Sequence, residues 1–219
     1  MMNSAFLLQI LPLLLRGTLI TIQIALTSSI IGFALGTILA FIQVYAPNIL
    51  RWFVASYVTI FRGTPMIIQI PFFYYLLPTL GIEFSLIITA IIAIGLNSAA
   101  YISQTIKSGI LSVGKGQQEA AQVLGLSKWQ TMRFIIFPQA ITVVIPALLN
   151  EIITLIKDSS LASTIGVVEL FKEGTIIISR TYDAIPVYCA VALIYLTLTS
   201  FVSVLASFVQ TRINRHVSH

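Results

Sequence analysis

The sequence predicts an all-α integral membrane protein with about five transmembrane helices. Three observations carry that expectation. Of the 219 residues, 58% are hydrophobic and only 9% are charged, whereas a soluble domain carries about a quarter charged residues. The apolar residues fall into runs close to the roughly 20 residues that cross a bilayer core. The runs are separated by short breaks rich in Pro, Gly and charge, the punctuation of loops. A chain of this length holds about five such runs and their loops, so one membrane domain is expected, not several.

The net charge of +5 would suggest nucleic acid in a soluble protein. Here no basic cluster is interleaved with aromatics, so nucleic acid is not an expected partner and membrane lipid is. An excess of Lys and Arg in cytoplasmic loops accounts for the charge. Cys189 is the single cysteine and lies in an apolar run, which excludes an intrachain disulfide and points to packing.

Taken in order, residues 1–16 lack a basic leader and an evident small-residue cleavage site, so a cleaved signal peptide is not expected. Leu7, Leu8, Leu11 and Leu15 suggest an interfacial helix leading to Arg16. The membrane domain covers residues 17–209. Its first span, about 17–44, contains Gly32 and Gly36 as a G-x-x-x-G, which lets helices approach closely; a contact within the chain is favoured over a dimer contact. Ala46-Pro47-Asn48 makes a turn. The second span, about 52–77, contains Arg62-Gly63-Thr64-Pro65. Pro65 removes a helix hydrogen bond and Gly63 loosens the backbone. A broken helix is tolerated in a membrane only where protein or water covers it, so this segment is expected at a pathway or a subunit interface.

The third span, about 85–107, places Asn97, Tyr101 and Gln104 at i, i+4 and i+7, a polar face that turns inward. The fourth, about 134–156, contains Pro138 and Pro146. Asn150, Thr154 and Lys157 share one of its faces, and Glu151, Thr154 and Asp158 an adjacent one. Residues 162–186 read as short helices at the outer surface, carrying Glu169, Lys172, Glu173, Arg180 and Asp183. The fifth span is about 185–209. Residues 210–219 form a basic tail; its His216 and His219 are weak grounds for a metal site, and no metal is expected.

Between the third and fourth spans lies a connecting loop, about 109–134, that is neither apolar nor tail-like. Ala120, Val123 and Leu124 fall at i, i+3 and i+4, one face of a short helix. Gly125 supplies a left-handed helix stop, and Ser127 with Gln130 makes a capping box for the next helix. The first helix is too short to stand alone, so its apolar face needs a groove on another protein.

Glu119-Ala120-Ala121, Gly125, Ile135 and Phe137-Pro138 resemble the EAA loop of ABC importer permeases, EAA-x3-G-x9-I-x-LP. The one departure is Phe137 for Leu. Arg62-Gly63-Thr64-Pro65 with Gln69, and Asn150-Glu151-x5-Lys157-Asp158-Ser159-Ser160-Leu161, resemble the polar amino-acid branch of that family. The resemblance implies a type I importer permease fold with a cytoplasmic coupling helix, in which Glu119, Ala120, Ala121, Leu124 and Gly125 meet the ATPase. It implies two ATPase subunits, a second permease subunit, identical or homologous, and an external or periplasmic solute-binding protein. It also implies residence in a bacterial cytoplasmic membrane. With the EAA loop inside, five spans put the N-terminus outside and the C-terminus inside. Arg51, Lys107, Lys115, Lys128, Arg133, Arg212 and Arg215 then fall at the inner face and Glu83, Glu169, Glu173 and Asp183 outside, the expected bias.

No nucleotide, metal or hydrolase motif is present. Gly114-Lys115 lacks the spacing of a phosphate-binding loop. No enzyme activity is therefore expected, and no cofactor on this chain; ATP and Mg²⁺ belong to the partner ATPase. Ionisable residues inside spans are usually functional. Glu151 is the deepest acid, and either a cationic substrate group or Arg62 is its expected partner. Six residues set Glu151 and Lys157 on roughly opposite faces, a poor pair. Gln69, Asn97, Glu151, Lys157 and Asp158 are the candidate solute ligands, with Gln104 able to assist, and a basic amino acid of the arginine, lysine or histidine type is the expected solute. The alternative is an ion-coupled carrier or channel that works without ATP, which would have no use for a docking helix.

Overall fold

The apolar runs become long helices in the computed structural model, which describes residues 4–217. In order these are α1 (Ser4–Tyr45), α2 (Asn48–Gly63), α3 (Met66–Thr79), α4 (Leu86–Ser112), α5 (Lys115–Val123), α6 (Lys128–Thr131), a π-helical turn (Met132–Ile136), α7 (Phe137–Asp158), a 3-10 turn (Ser159–Ile165), α8 (Leu170–Thr181) and α9 (Ala184–Val217). Among the described residues four helical stretches are long and apolar enough to cross a membrane, and a fifth arises if the bent pair α2–α3 is one span. The polar reading of the tail concerns His219 and the side chain of His216, which lie outside the described residues.

The separate interfacial segment expected at residues 1–16 is continuous with the first span. α1 runs unbroken for 42 residues, about 63 Å at 1.5 Å per residue, roughly twice a hydrocarbon core. Its N-terminal third packs through Ile10 and Leu14 against Leu170 and Ile177 of α8 and Val187 and Val191 of α9. Leu8, Leu11 and Leu15 are exposed, on a face that the rest of the chain leaves uncovered. Several hydroxyls within α1 donate back to backbone carbonyls four residues earlier, as Thr18 Oγ1 does to Leu14 O (2.8 Å) and Ser29 Oγ to Ala25 O (2.7 Å). That local bond lets them sit in an apolar helix.

The G-x-x-x-G of α1 faces α4. A Cβ on Gly32 would lie 2.7 Å from Ser98 Oγ, and one on Gly36 would lie 2.8 Å from Ile102 Cγ2. From the other side, a Cβ on Gly95 would lie 2.9 Å from Ile31 Cγ2. The small-residue seam is thus an intrachain one, as expected, and it brings the two backbones together along their middles. The central core forms beside it, with Ile24 and Ala25 of α1, Ile70 of α3, Ala90, Ala93 and Ile94 of α4, and Leu155 and Ile156 of α7.

Glu169, an acid in the segment read as outer-surface helices, is fully buried. It caps α8 by accepting from Phe171 N (2.9 Å) and Lys172 N (2.8 Å), and it also accepts from Tyr195 Oη (2.9 Å) and Thr21 Oγ1 (3.4 Å). Four donors replace the water that a buried carboxylate loses. Cys189 is exposed on α9 and does not pack inside.

Candidate functional site

Pro65 and Gly63 do more than kink the second span. α2 and α3 meet at 112° across Thr64 and Pro65. Such an elbow frees carbonyls that have no helical partner. Gln69 supplies one: its Nε2 donates to Phe61 O (2.9 Å), Thr64 O (3.1 Å) and Thr64 Oγ1 (2.7 Å). Asn97 of α4 completes the latch, donating from Nδ2 to Gln69 Oε1 (2.9 Å) and Phe61 O (3.1 Å). Both amides are buried. Their polarity holds the elbow against α4, a role that an exposed hydrophilic face would not reveal.

The elbow forms one wall of a cleft of about 620 Å³. Arg62, Thr64, Pro65 and Met66 line it from the elbow, Asn97 and Tyr101 from α4, and Glu151, Thr154 and Asp158 from α7. The Arg62 guanidinium lies over the Tyr101 ring, 5.1 Å from its centroid, a cation–π arrangement that leaves its edge donors free. Glu151 Oε1 accepts from Ser98 Oγ (2.9 Å). Ser98 is itself seated on Gly32, where a side chain would displace it. Glu151 is therefore oriented by a neutral hydroxyl; Arg62, on the same cleft, is turned toward Tyr101. Asp158 stands at i+7 from Glu151, on the same face of the helix and about 10 Å further along its axis.

Three of the five candidate solute ligands, Asn97, Glu151 and Asp158, line this cleft. Gln69 does not, because its amide is turned into the elbow. Lys157 does not, because one residue of helix rotates it about 100° from Asp158; it lines a separate hollow with Phe171, Tyr188 and Tyr195. Gln104, the possible helper, donates to Gln43 Oε1 of α1 (2.7 Å) at the far end of α4. Arg62, Ser98 and Tyr101 are the residues that sequence reasoning did not assign to the ligand set. The i, i+4 spacing of Asn97 and Tyr101 was a usable signal for Tyr101. Ser98 had none, since a serine beside an asparagine reads as ordinary small packing.

The connecting loop folds as its residue types require. Gly125 has φ +73, and Leu126 N donates to Ala121 O (3.0 Å) while Gly125 N donates to Gln122 O (2.9 Å), the paired bonds of a Schellman stop. Ser127 and Gln130 form the reciprocal capping box. α5 begins at Lys115, so Glu119 sits mid-helix. Ala121 is fully buried against the loop, whereas Glu119, Ala120 and Gly125 are exposed. Val123 is 88% and Leu124 76% exposed, on a helix with no membrane-spanning length. The Ala120–Val123–Leu124 face is an apolar surface with no partner among the described residues. α5 packs on the π turn, which leads directly into α7 and the cleft.

A family model described as the binding-protein-dependent transport system inner membrane component matches residues 32–219. A probable amino-acid ABC transporter permease of Bacillus subtilis, YckA, is 38% identical over 215 residues, covering 98% of this chain and 95% of that protein. A putative glutamine transport system permease of Rickettsia typhi, GlnP, is 36% identical over 200 residues, covering 91% and 92%. The crystal structure of an amino acid ABC transporter with histidines superposes with a TM-score of 0.90 at 32% identity, over 97% of this chain and 99% of the other. Long apolar helices, a lipid-facing exterior and full-length likeness coincide: the chain belongs to the family of binding-protein-dependent transport system inner membrane components, with a type I importer fold, and is a permease subunit of an ABC amino-acid importer, a class of transporter component without an ATPase of its own.

Proposed function

We propose that the cleft carries a polar L-α-amino acid with a cationic side chain. The single observation behind this reading is the charge set of one hollow, whose lining holds one guanidinium, Arg62, and two carboxylates, Glu151 and Asp158. A free α-amino acid brings one carboxylate and one ammonium. Arg62 suits the carboxylate, through the bidentate geometry of its fork, and α3 opens its positive N-terminal end at Met66 beside it. One of the two acids on α7 suits the α-ammonium. The other is left for a second cation, which an arginine, lysine or histidine side chain provides and a glutamine does not. The relatives' names support an amino acid but differ on its side chain, from glutamine to histidine.

The test is uptake by the assembled transporter in vesicles. Glu151→Gln keeps an acceptor for Ser98 and removes the charge. Arginine uptake at subsaturating concentration is expected to fall at least 30-fold, from a lost buried charge pairing of about 2 kcal/mol or more, with expression unchanged. Arginine uptake equal to wild type would overturn the basic-substrate reading while leaving an amino-acid cleft.

Movement through the cleft is proposed to be powered from the loop. The exposed Ala120–Val123–Leu124 face enters a groove on an ATPase subunit, two of which bind ATP and Mg²⁺; this chain binds no cofactor. Glu119 and Gly125 shape that contact, the first as an exposed acid and the second as the turn. Closure of the ATPases displaces α5, the π turn and α7 together, and so moves Glu151 and Asp158 relative to the elbow. A second permease subunit and an external solute-binding protein complete the assembly. The N-terminus lies outside and the C-terminus in the cytoplasm, with α2–α3 counted as one span. Clustering of Arg51, Lys107, Lys128 and Arg133 toward the α5 end supports that orientation. The ion-coupled carrier alternative is set aside with the family.

A further inference from the structure

A second hollow, of about 400 Å³, lies at the α5 end of the molecule, between the end of α1, the start of α2 and the last turns of α4. Gln43, Val44, Arg51, Ala55, Lys107 and Leu111 line it. Two of these six are cations and none is an acid. Each cation is held by neutral acceptors. Arg51 donates from Nε to Ala46 O (2.6 Å) and from Nη2 to Val44 O (3.1 Å), closing the C-terminus of α1. Lys107 Nζ donates to Gln43 Oε1 (3.3 Å), an oxygen also taken by Gln104 Nε2 (2.7 Å). Gln43 Nε2 in turn donates to Ser103 Oγ (3.3 Å). A guanidinium has five N–H donors and an ammonium three, so both heads line the hollow with donors to spare. Two cations and no carboxylate in the lining make the hollow electropositive, which suits an anion.

The surroundings indicate which anion. Ile49, Leu50, Trp52 and Phe53, on the first turns of the helix that carries Arg51, and Leu111, which lines the hollow, are all exposed, and the Trp52 and Phe53 rings meet edge to face at 5.1 Å. Exposed Trp beside Arg, at the end of a membrane helix, marks the headgroup level. We propose that this hollow binds the phosphate group of an acidic phospholipid at the inner leaflet, Arg51 and Lys107 chelating the phosphate while the α2 and α4 side chains contact the acyl chains. Basic pockets between membrane helices bind anionic headgroups on this principle. A bound lipid would tie α1, α2 and α4 together at the end where the coupling segment attaches. The site shares no lining residue with the amino-acid cleft.

The experiment is native mass spectrometry of the full chain purified in neutral detergent and titrated separately with dioleoylphosphatidylglycerol, dioleoylphosphatidylcholine and inorganic phosphate. Phosphatidylglycerol is expected to bind at least fivefold more tightly than phosphatidylcholine. Lys107→Gln, which keeps a donor for Gln43, is expected to weaken phosphatidylglycerol binding about fivefold, in keeping with one cation near a membrane surface, and Lys107→Arg to retain it. Arg51→Gln adds a further loss but also uncaps α1, so the Lys107 pair decides. Equal binding of the two lipids, or phosphatidylglycerol binding unaltered by Lys107→Gln, overturns the proposal. Inorganic phosphate binding that depends on Lys107, without a preference between lipids, overturns the lipid as source and assigns the hollow to free phosphate.

Discussion

The cleft and the coupling segment are built in opposite ways. The cleft is assembled from four helices, and its polar groups are tied to each other: Gln69 to the elbow, Asn97 to Gln69, Ser98 to Glu151. The coupling segment is almost wholly local. Its turn, stop and cap are bonds within Lys115–Thr131, and its apolar side chains Val123 and Leu124 touch nothing that would cover them. The first region is complete within the fold, and the second leaves its apolar face uncovered, as the proposed docking requires. The difference separates the effects of mutation: changes in the coupling face should alter work without altering stability, and changes in the cleft network should alter both.

The sharpest test of that separation is Leu124→Asp. Surface substitutions away from packed features change stability by about 0.5 kcal/mol or less, so melting temperature should stay within a few degrees. Uptake in vesicles should fall by about 100-fold as docking is lost. A marked loss of thermal stability would show that the face is packed in the isolated chain and would break the contrast. Gly125→Asp should act in the same direction and somewhat less. A Cβ there meets no neighbouring atom, and the left-handed backbone costs a non-glycine residue about 1 kcal/mol. Solute binding should persist while stimulation of ATP hydrolysis drops.

In the elbow that walls the cleft, Gln69→Leu should destabilise the chain by about 2–3 kcal/mol, because it strands the Thr64 carbonyl and removes one of the two acceptors of Asn97. The readout is the detergent melting curve together with uptake, both expected to fall. Ser98→Ala is the smallest change. It removes one hydrogen bond to a carboxylate, worth about 1.5–3 kcal/mol, and should raise the apparent KM for amino acid about tenfold while leaving the fold intact. Unchanged KM would mean that Glu151 is held by something other than Ser98.

Local chemistry explains why the coupling segment could be read from the sequence almost residue by residue. Gly125 needs a left-handed backbone, Ser127 and Gln130 need each other, and the three apolar residues share a face, all within a dozen positions. The long helices were legible for a similar reason, since span length is set by the bilayer. The elbow was only half legible: Pro65 announces a break, but the 112° bend is latched by Gln69 and by Asn97, which reaches the Phe61 carbonyl from 36 residues away in the chain. Periodicity assigns a residue to a face and not to a neighbour. For that reason Gln104 was grouped with Asn97 although it meets Gln43, and nothing in the spacing of Glu169 announced Thr21 and Tyr195 as its partners. Lys157 is the exception, because its rotation away from Glu151 was readable and the resemblance to a shared motif argued against it.

The notches at Gly32, Gly36 and Gly95 have a consequence for assembly. Each is already filled by a side chain of the same chain, so α1 and α4 form a double strut with no small-residue groove left along that seam. Any companion copy must meet this one elsewhere, and the strut can serve as the stationary frame against which the α7 lever swings.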